Sequence, residues 1–593
     1  MSGGLLNPEF GAPGVNVREM RLGVAGASAK RGCLPIVVGV TGHRDLRVGD
    51  VPALESAVAD AFGTLLAAYR HTPLLLVSAL AAGADQLAAR VARANGIPIV
   101  APMPLERAEY ERDFNVEERD EFSALLRTAR CAFFVGYAPG NDARSVANDE
   151  RARAIQYARL GAYVACNSQI LLALWNGRET DHVGGTAQVV AYRRRGVALG
   201  FDPPPRPLDR PEFGPVWHIV TPRASDATAP AAPFTRTILW PLPAPATGAP
   251  PASGDPSNAA VTELILRRID RFNEDALRGE APERAIEAPA IVATAEELAR
   301  RYRTATVRTL SALYATAFAA ASLFVFYAHH PSHATALIEL DLALTVVALA
   351  VFAFARRREL QNLYQDYRAV AEGLRVQSAW QAANVRETVA DHYLRQYRGE
   401  LDWIRNVIRV CRLIDEAAVV RDSVSPEDGR DAVRGVAAGW IAGQLTYFEE
   451  RIRTDERTER RLSTITWIAA ATGIAATSVL VVCYGVLGHR PEDSWWTAGV
   501  VVAALAAVAS GLLASYADQR AYMVHVKRYR RIRAMFAQAN AALHAILARE
   551  PFTASDHADA RDVIRELGRE ALLENAGWVM LHRERPLEFV QGG

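Results

Sequence analysis

Three short stretches carry residue types suited to holding an anion. In VTGHRD, Thr41-Gly42 ends a near-continuous apolar run, and His43 and Arg44 follow at once. In SALAAGAD, Ser78 closes a second apolar run, with Gly83 and Asp85 at the start of a helical pattern. In GGTAQVV, Gly184, Gly185 and Thr186 stand in the same relation to a further run. A glycine at such a point lets backbone N–H groups approach a phosphate. The next helix start adds partial positive charge, and arginine is a planar phosphate donor. Each stretch alone is weak, because glycine after a strand is often only a turn. Together, all at strand ends, they point to a phosphate or nucleotide ligand. No G-x-x-x-x-G-K-[ST] occurs, which excludes a P-loop. His43 reads equally as a phosphate contact or a turn cap. Trp175 reads as core before base-stacking surface. Glu111 and Asp113 read as a solvated helix face.

These stretches need strands to position them. From Cys33 to about Trp240, apolar runs such as PIVVGV, PLLLVSAL, IPIVAPMP, CAFFVGY and SQILLALW alternate with helical patterns. That alternation predicts an α/β domain with a doubly wound parallel sheet over 33–240, where ligands sit outside the carboxyl ends of the strands. Residues 1–32 lack the basic-then-apolar pattern of a signal peptide and read as a flexible tail. Residues 241–258, rich in Pro, Ala and Gly, read as a linker. The remainder predicts an all-α region, divided at 259–460 and 461–593.

Within that region lie uncharged runs of bilayer length. Leu310–Ala328 is 19 residues without a charge, and as a helix it spans roughly 28 Å. A partner run, Ala334–Ala355, carries Glu339 and Asp341 in its first third. They read as lying just outside the hydrocarbon before they read as an ion pathway. Leu462–Gly488 and Ser494–Ala517 form a second pair. Two transmembrane helical hairpins are predicted, 309–355 and 462–517. Arginines crowd their outer flanks, Arg301, Arg303, Arg308 and Arg356–Arg358 for the first and Arg457, Arg460, Arg461 and Arg520 for the second. By the positive-inside rule both termini and the α/β domain are expected in the cytoplasm, with the chain multi-pass in the inner membrane.

Tyr367-Arg368 and Tyr529-Arg530 follow the two hairpins at similar distances, which reads as a duplication. Leu394, Tyr397, Leu401, Ile404, Ile408 and Cys411 fall at coiled-coil spacing, read equally as an oligomer seam or as packing within the chain. Arg375 and Glu372 are placed to pair. His329, His330 and His333 lack a carboxylate or thiolate partner, so no metal is expected. The net charge of +1 gives no general attraction to nucleic acid, and none is expected as a partner. Five cysteines without C-x-x-C spacing give neither a disulfide framework nor a zinc site.

VGVTGHRDL, SALAAGADQLAA, PMPLERAEYERDF and LLALWNGRETDHVGGTAQVV resemble the SLOG family over about Cys33–Arg223. These are Rossmann-like nucleotide-sensing domains related to the LOG nucleotide hydrolases and to the DNA-processing protein of transformation. QDYRAVAEGLRVQSAW, GWIAGQLTYFEER and LGREALLENAGWVMLHRERP resemble SLATT, a two-transmembrane effector region associated with SLOG sensors, over about Glu296–Pro586. The resemblance implies a bacterial anti-phage system. A nucleotide signal would bind the cytoplasmic domain, and the membrane part would oligomerise or open a pore. The LOG-type motif G-T-x-x-E is broken here, because Val189 stands where the glutamate belongs. That favours binding over turnover, with no catalytic residue assigned and no cofactor required. The alternative is a membrane-anchored nucleotide-processing enzyme whose carboxylate arrives from Asp85, Asp113 or Glu150.

Overall fold

The computed structural model describes residues 30–196, 213–226, 230–241, 256–278, 283–329, 334–394, 401–416, 425–486 and 494–583. Most of the expected tail and linker lies outside them, as do Tyr397, His330 and His333. The strands are β1 (Lys30–Gly32), β2 (Ile36–Gly42), β3 (Leu74–Val77), β4 (Ile99–Met103), β5 (Cys131–Phe134), β6 (Ile170–Trp175), β7 (Val216–Val220), β8 (Arg236–Leu239) and β9 (Glu283–Ala285). Seven of them form one sheet in the order β5-β4-β3-β2-β6-β7-β8. All its pairings are parallel except that of β8 on β7. Strands β3, β4 and β6 are buried along their whole length, as a parallel sheet covered on both faces requires. The covering helices are α1 (Val51–Ala68), α2 (Ala84–Ala94), α3 (Val116–Thr128), α4 (Glu150–Cys166) and α5 (Thr186–Arg195).

The second half is helical: α6 (Pro256–Leu277), α7 (Ala288–His329), α8 (Ala334–Arg357), α9 (Leu360–Ala382), α10 (Asp402–Glu416), α11 (Pro426–Val436), α12 (Ala442–Gly485), α13 (Ser494–Arg520), α14 (Tyr522–Leu547) and α15 (Ala554–Arg583). Among the described residues, five stretches are long and apolar enough to cross a membrane: Val48–Ala68, Ala288–His329, Ala334–Ala382, Pro426–Gly485 and Trp495–Leu547. The first contains α1, whose Leu54, Val58, Phe62 and Leu65 are buried in the α/β core. The others present their apolar side chains outward. Leu342 is 64% exposed, Trp467 73% and Ile474 68%. A water-soluble bundle turns such residues inward, whereas lipid solvates them. Helix α7 packs on α8, and α12 on α13. Where α12 meets α13, a Cβ added to Gly473 would lie 3.4 Å from Ala506 Cβ, so small residues set the approach. Tyr314 and Ser515 share a hydroxyl hydrogen bond of 2.8 Å that ties α7 to α13. Glu339 is exposed and Asp341 partly so, within about 11 Å of the start of α8 at the helical rise.

Helices α8 and α13 both end at a residue in the left-handed region, Glu359 (φ 53°) and Ala521 (φ 50°). Each stands at the same separation from the tyrosine of its Tyr-Arg pair. The seam residues have an internal destination. Leu394, Leu401, Ile404, Ile408 and Cys411 are all buried, and Ile408 presses against Gly373 of α9. Arg375 pairs both with Glu372 on its own helix and with Glu296 on α7.

The two halves join at the amino ends of the strands. The Asn273 side chain on α6 accepts from the Leu34 N–H at 2.8 Å and donates to the Leu34 carbonyl at 2.8 Å, just before β2. Asp270 accepts from the N–H of His71 and the hydroxyl of Thr72, just before β3. Strand β1 pairs in parallel with β9. The carboxyl ends of the sheet face away from this junction.

Candidate functional site

The chain leaves β2 toward β3 and later returns on the other side of β2 as β6, so the strand order reverses between them. Loops that diverge at such a point open a crevice outside the carboxyl ends. Here that crevice is partly stitched. The His43 N–H donates to the Leu174 carbonyl at 3.0 Å, and the Asn176 N–H donates to His43 Nε2 at 2.9 Å. The proton of the neutral imidazole therefore sits on Nδ1. Burial, then the nearby Arg223 charge, holds the His43 pKa below its usual value. Of its two readings, this geometry serves the loop-tying one.

Gly42 and Gly83 are consumed by close packing. A Cβ on Gly42 would lie 2.3 Å from Ala84 Cβ and 2.7 Å from the Leu174 carbonyl oxygen. Gly83 has φ +81°, and a Cβ there would lie 2.4 Å from the Arg44 carbonyl oxygen. The Ala84 N–H, at the start of α2, is already spent on the His43 carbonyl at 3.0 Å. Thr41 is buried in β2. Ser78 has no exposed surface, and its hydroxyl reaches Asp85 Oδ2 at 3.3 Å. Asp85 also accepts from the Ala79 N–H at 3.1 Å. Burial raises its pKa to about 7, against the hydrogen bonds from Ser78 and Ala79. These residues shape the strand ends from beneath.

The groups open to a ligand stand above them. Arg44 is exposed, with its guanidinium 4.9 Å from the ring centroid of Tyr157 on α4. The Tyr157 hydroxyl donates to Asp113, which also pairs with Arg153 at 2.6 Å. Arg153 in turn holds Glu109 at 2.9 Å. Asp113 is thus no solvated helix residue. It lies on a short 3₁₀ turn, beside the cation best placed to take a phosphate. Gly184, with φ +80°, presses on the same Tyr157: a Cβ there would lie 2.9 Å from Tyr157 Cβ. Gly185 caps α5 through its backbone, with Thr186 next and both partly exposed. Gly184, Gly185, Thr186, Arg44 and Tyr157 therefore gather on one side of the crevice.

Val189 is 4% exposed and packs on Gly161, so the position of the LOG glutamate lies in the core. Of the three alternative carboxylates, Asp85 is engaged beneath the loops and Glu150 is exposed at the start of α4. Asp113 alone of the three joins the Arg44–Tyr157 pair. Trp175 is buried against His218, as core. His329 Nδ1 lies 2.8 Å from the Val325 carbonyl oxygen, one turn back on its own helix. A scan against protein-family models finds no match, and no curated protein matches the sequence. Sequence reading missed Tyr157 as a site residue, and it named Asp113 only as one of three possible carboxylates while otherwise reading it as a solvated helix face. A tyrosine in mid-helix and an aspartate in EYERDF carry no local sign of meeting.

Proposed function

We propose that this chain is a membrane-associated sensor-effector of the kind its SLOG-like and SLATT-like motifs imply. The α/β crevice binds a nucleotide-type signal, and the helical half answers by oligomerising or opening a pore across two transmembrane hairpins. One arrangement carries this reading. Arg44 and the start of α5 meet at Tyr157, at the reversal point of the sheet, while the opposite ends of the same strands are clamped to the helical half. A phosphate held by Arg44 and the α5 N-terminus gains both a planar donor and a helix dipole. The outward apolar surface of α8, α12 and α13, flanked by arginines, supports an inner-membrane location with both termini cytoplasmic. The implied setting is bacterial anti-phage defence. Ligand must favour one state of the helical half over another, since equal affinity for both shifts nothing.

The position of Asp113 favours a second reading, a membrane-anchored nucleotide-processing enzyme. A carboxylate beside a phosphate-binding arginine is the group that such cleavage requires. Mass spectrometry of what the full chain retains, after incubation with linear and cyclic nucleotides, separates the two. An intact retained nucleotide supports the sensor, cleaved product supports the enzyme, and no retained nucleotide contradicts both.

A further inference from the structure

A second concentration of positive charge lies far from the crevice, where the apolar helices enter the rest of the helical half. A cavity of about 90 Å3 is lined by Arg303 of α7, Arg368 of α9, Arg451 of α12 and Arg520 at the end of α13. Asp455 is the one carboxylate among the described lining residues, and it pairs with Arg451 at 3.3 Å. The neighbouring carboxylates are committed elsewhere: Glu372 to Arg375, Asp366 to Arg583 and Glu574 to Arg528. By formal count, four arginines against Asp455 give the described lining a net of three positive charges. The four arginine side chains are partly buried, and a cleft lined by one sign of charge draws counter-ions.

Gln365 gives an independent sign of a missing partner. It lines the cavity with no exposed surface, and neither its Oε1 nor its Nε2 has a hydrogen-bond partner. Buried amides are normally satisfied, and the exceptions call for a ligand or a role. The first turns of α9 and α14 also reach the cavity, through Gln361 and Tyr522, and helix N-termini favour anions. His525 and His582 lie with their Nε2 atoms 3.2 Å apart at its edge.

We infer that this cavity binds a phosphate-bearing anion, held by Arg303, Arg368 and Arg520 with Gln365, and that its occupancy ties the two halves of the duplicated helical region together. Arginine forks suit the multiple oxygens of a phosphate or diphosphate. Leu310, the first residue of the uncharged run of α7, also lines the cavity. That places it at headgroup depth, so a phospholipid headgroup and a soluble polyphosphate share the chemistry. The inference does not depend on the α/β crevice binding anything.

The test uses the full chain carrying Arg44→Gln, which weakens phosphate binding in the crevice. It is reconstituted in phosphatidylcholine nanodiscs, and its thermal midpoint is followed with added inorganic pyrophosphate or with phosphatidylglycerol in the disc. A rise with phosphatidylglycerol alone assigns a lipid headgroup, and a rise with pyrophosphate assigns a soluble anion. Adding Arg303→Gln is expected to weaken the response by about tenfold or more, for the loss of one charged hydrogen bond. Should that variant not fold, Gln365→Leu serves. It is expected to raise the ligand-free midpoint by removing a buried unsatisfied amide, and to weaken the response. No rise with either anion would overturn the inference. So would a variant that lowers the ligand-free midpoint while leaving the response intact.

Discussion

Asn176 donates its backbone N–H to Nε2 of His43 at 2.9 Å, joining the end of β6 to the end of β2 across the point where the strand order reverses. The bond needs a neutral imidazole with its proton on Nδ1. A protonated His43 has no acceptor left for Asn176, and its pKa is already held low, by burial first. In the unfolded chain a histidine takes its proton near pH 6.5. The unfolded state therefore binds more protons below that value, and the stability supplied by the bond is lost as pH falls from about 6.5 toward the folded pKa. Thermal unfolding between pH 7 and pH 5 is expected to show a shallower loss in His43→Asn than in the parent chain.

Asp85 gives the opposite sign. Its folded pKa of about 7 lies above the unfolded value, so its stabilising protonated form is lost as pH rises through 7. Between pH 6 and pH 8 the chain should lose about 1 kcal/mol from this group. Asp85→Asn keeps an acceptor for Ala79 and is expected to abolish that component. Denaturant unfolding at the two pH values checks it.

Two glycines should part company on mutation. Gly83→Ala places a Cβ against the carbonyl oxygens of His43 and Arg44 at positive φ, and is expected to cost more than about 2 kcal/mol and to disorder the strand ends. Gly185→Glu stands at an ordinary φ of −80°, with the His182 carbonyl oxygen, 3.2 Å from the new Cβ, as the nearest obstacle. It should fold, insert in the membrane and fail to bind the ligand, because its carboxylate occupies the anion's approach. Circular dichroism for the first, and ligand retention for the second, decide these.

Ile474 sits mid-way along the uncharged run of α12 and is 68% exposed. In a water-soluble bundle, Ile474→Arg is harmless. In a membrane it costs about 2.5–3.5 kcal/mol on the insertion scale. Reduced recovery in carbonate-washed membranes is the expected outcome, and unchanged recovery would argue for a soluble bundle.

The strands were readable because parallel strands buried on both faces have no polar alternation to hide them, as in PIVVGV and SQILLALW. Strand order, and with it the crevice, was not, since it depends on which edge each crossover takes. Strands β1 and β9 read KRG and ERA, too short and charged for any pattern. Gly42 and Gly83 were legible as positions that need no side chain, but the groups that exclude one, Ala84 and the carbonyl oxygens of Leu174, His43 and Arg44, were not. The spacing of Leu401, Ile404 and Ile408 did report a buried face, yet a heptad does not say whose helix covers it. Arg303 and Arg520 were legible as membrane flanks. Their convergence on one cavity with Arg368 and Arg451 follows from tertiary packing alone.

The most direct test is dye release from liposomes carrying the full chain, with a panel of linear and cyclic nucleotides on the cytoplasmic side. A sensor-effector requires that at least one nucleotide trigger release. That release should be lost in Gly185→Glu and reduced about tenfold in sensitivity in Arg44→Gln, with membrane insertion unchanged. Nucleotide binding without release, or release that is the same in both variants, would contradict a link between the crevice and the membrane.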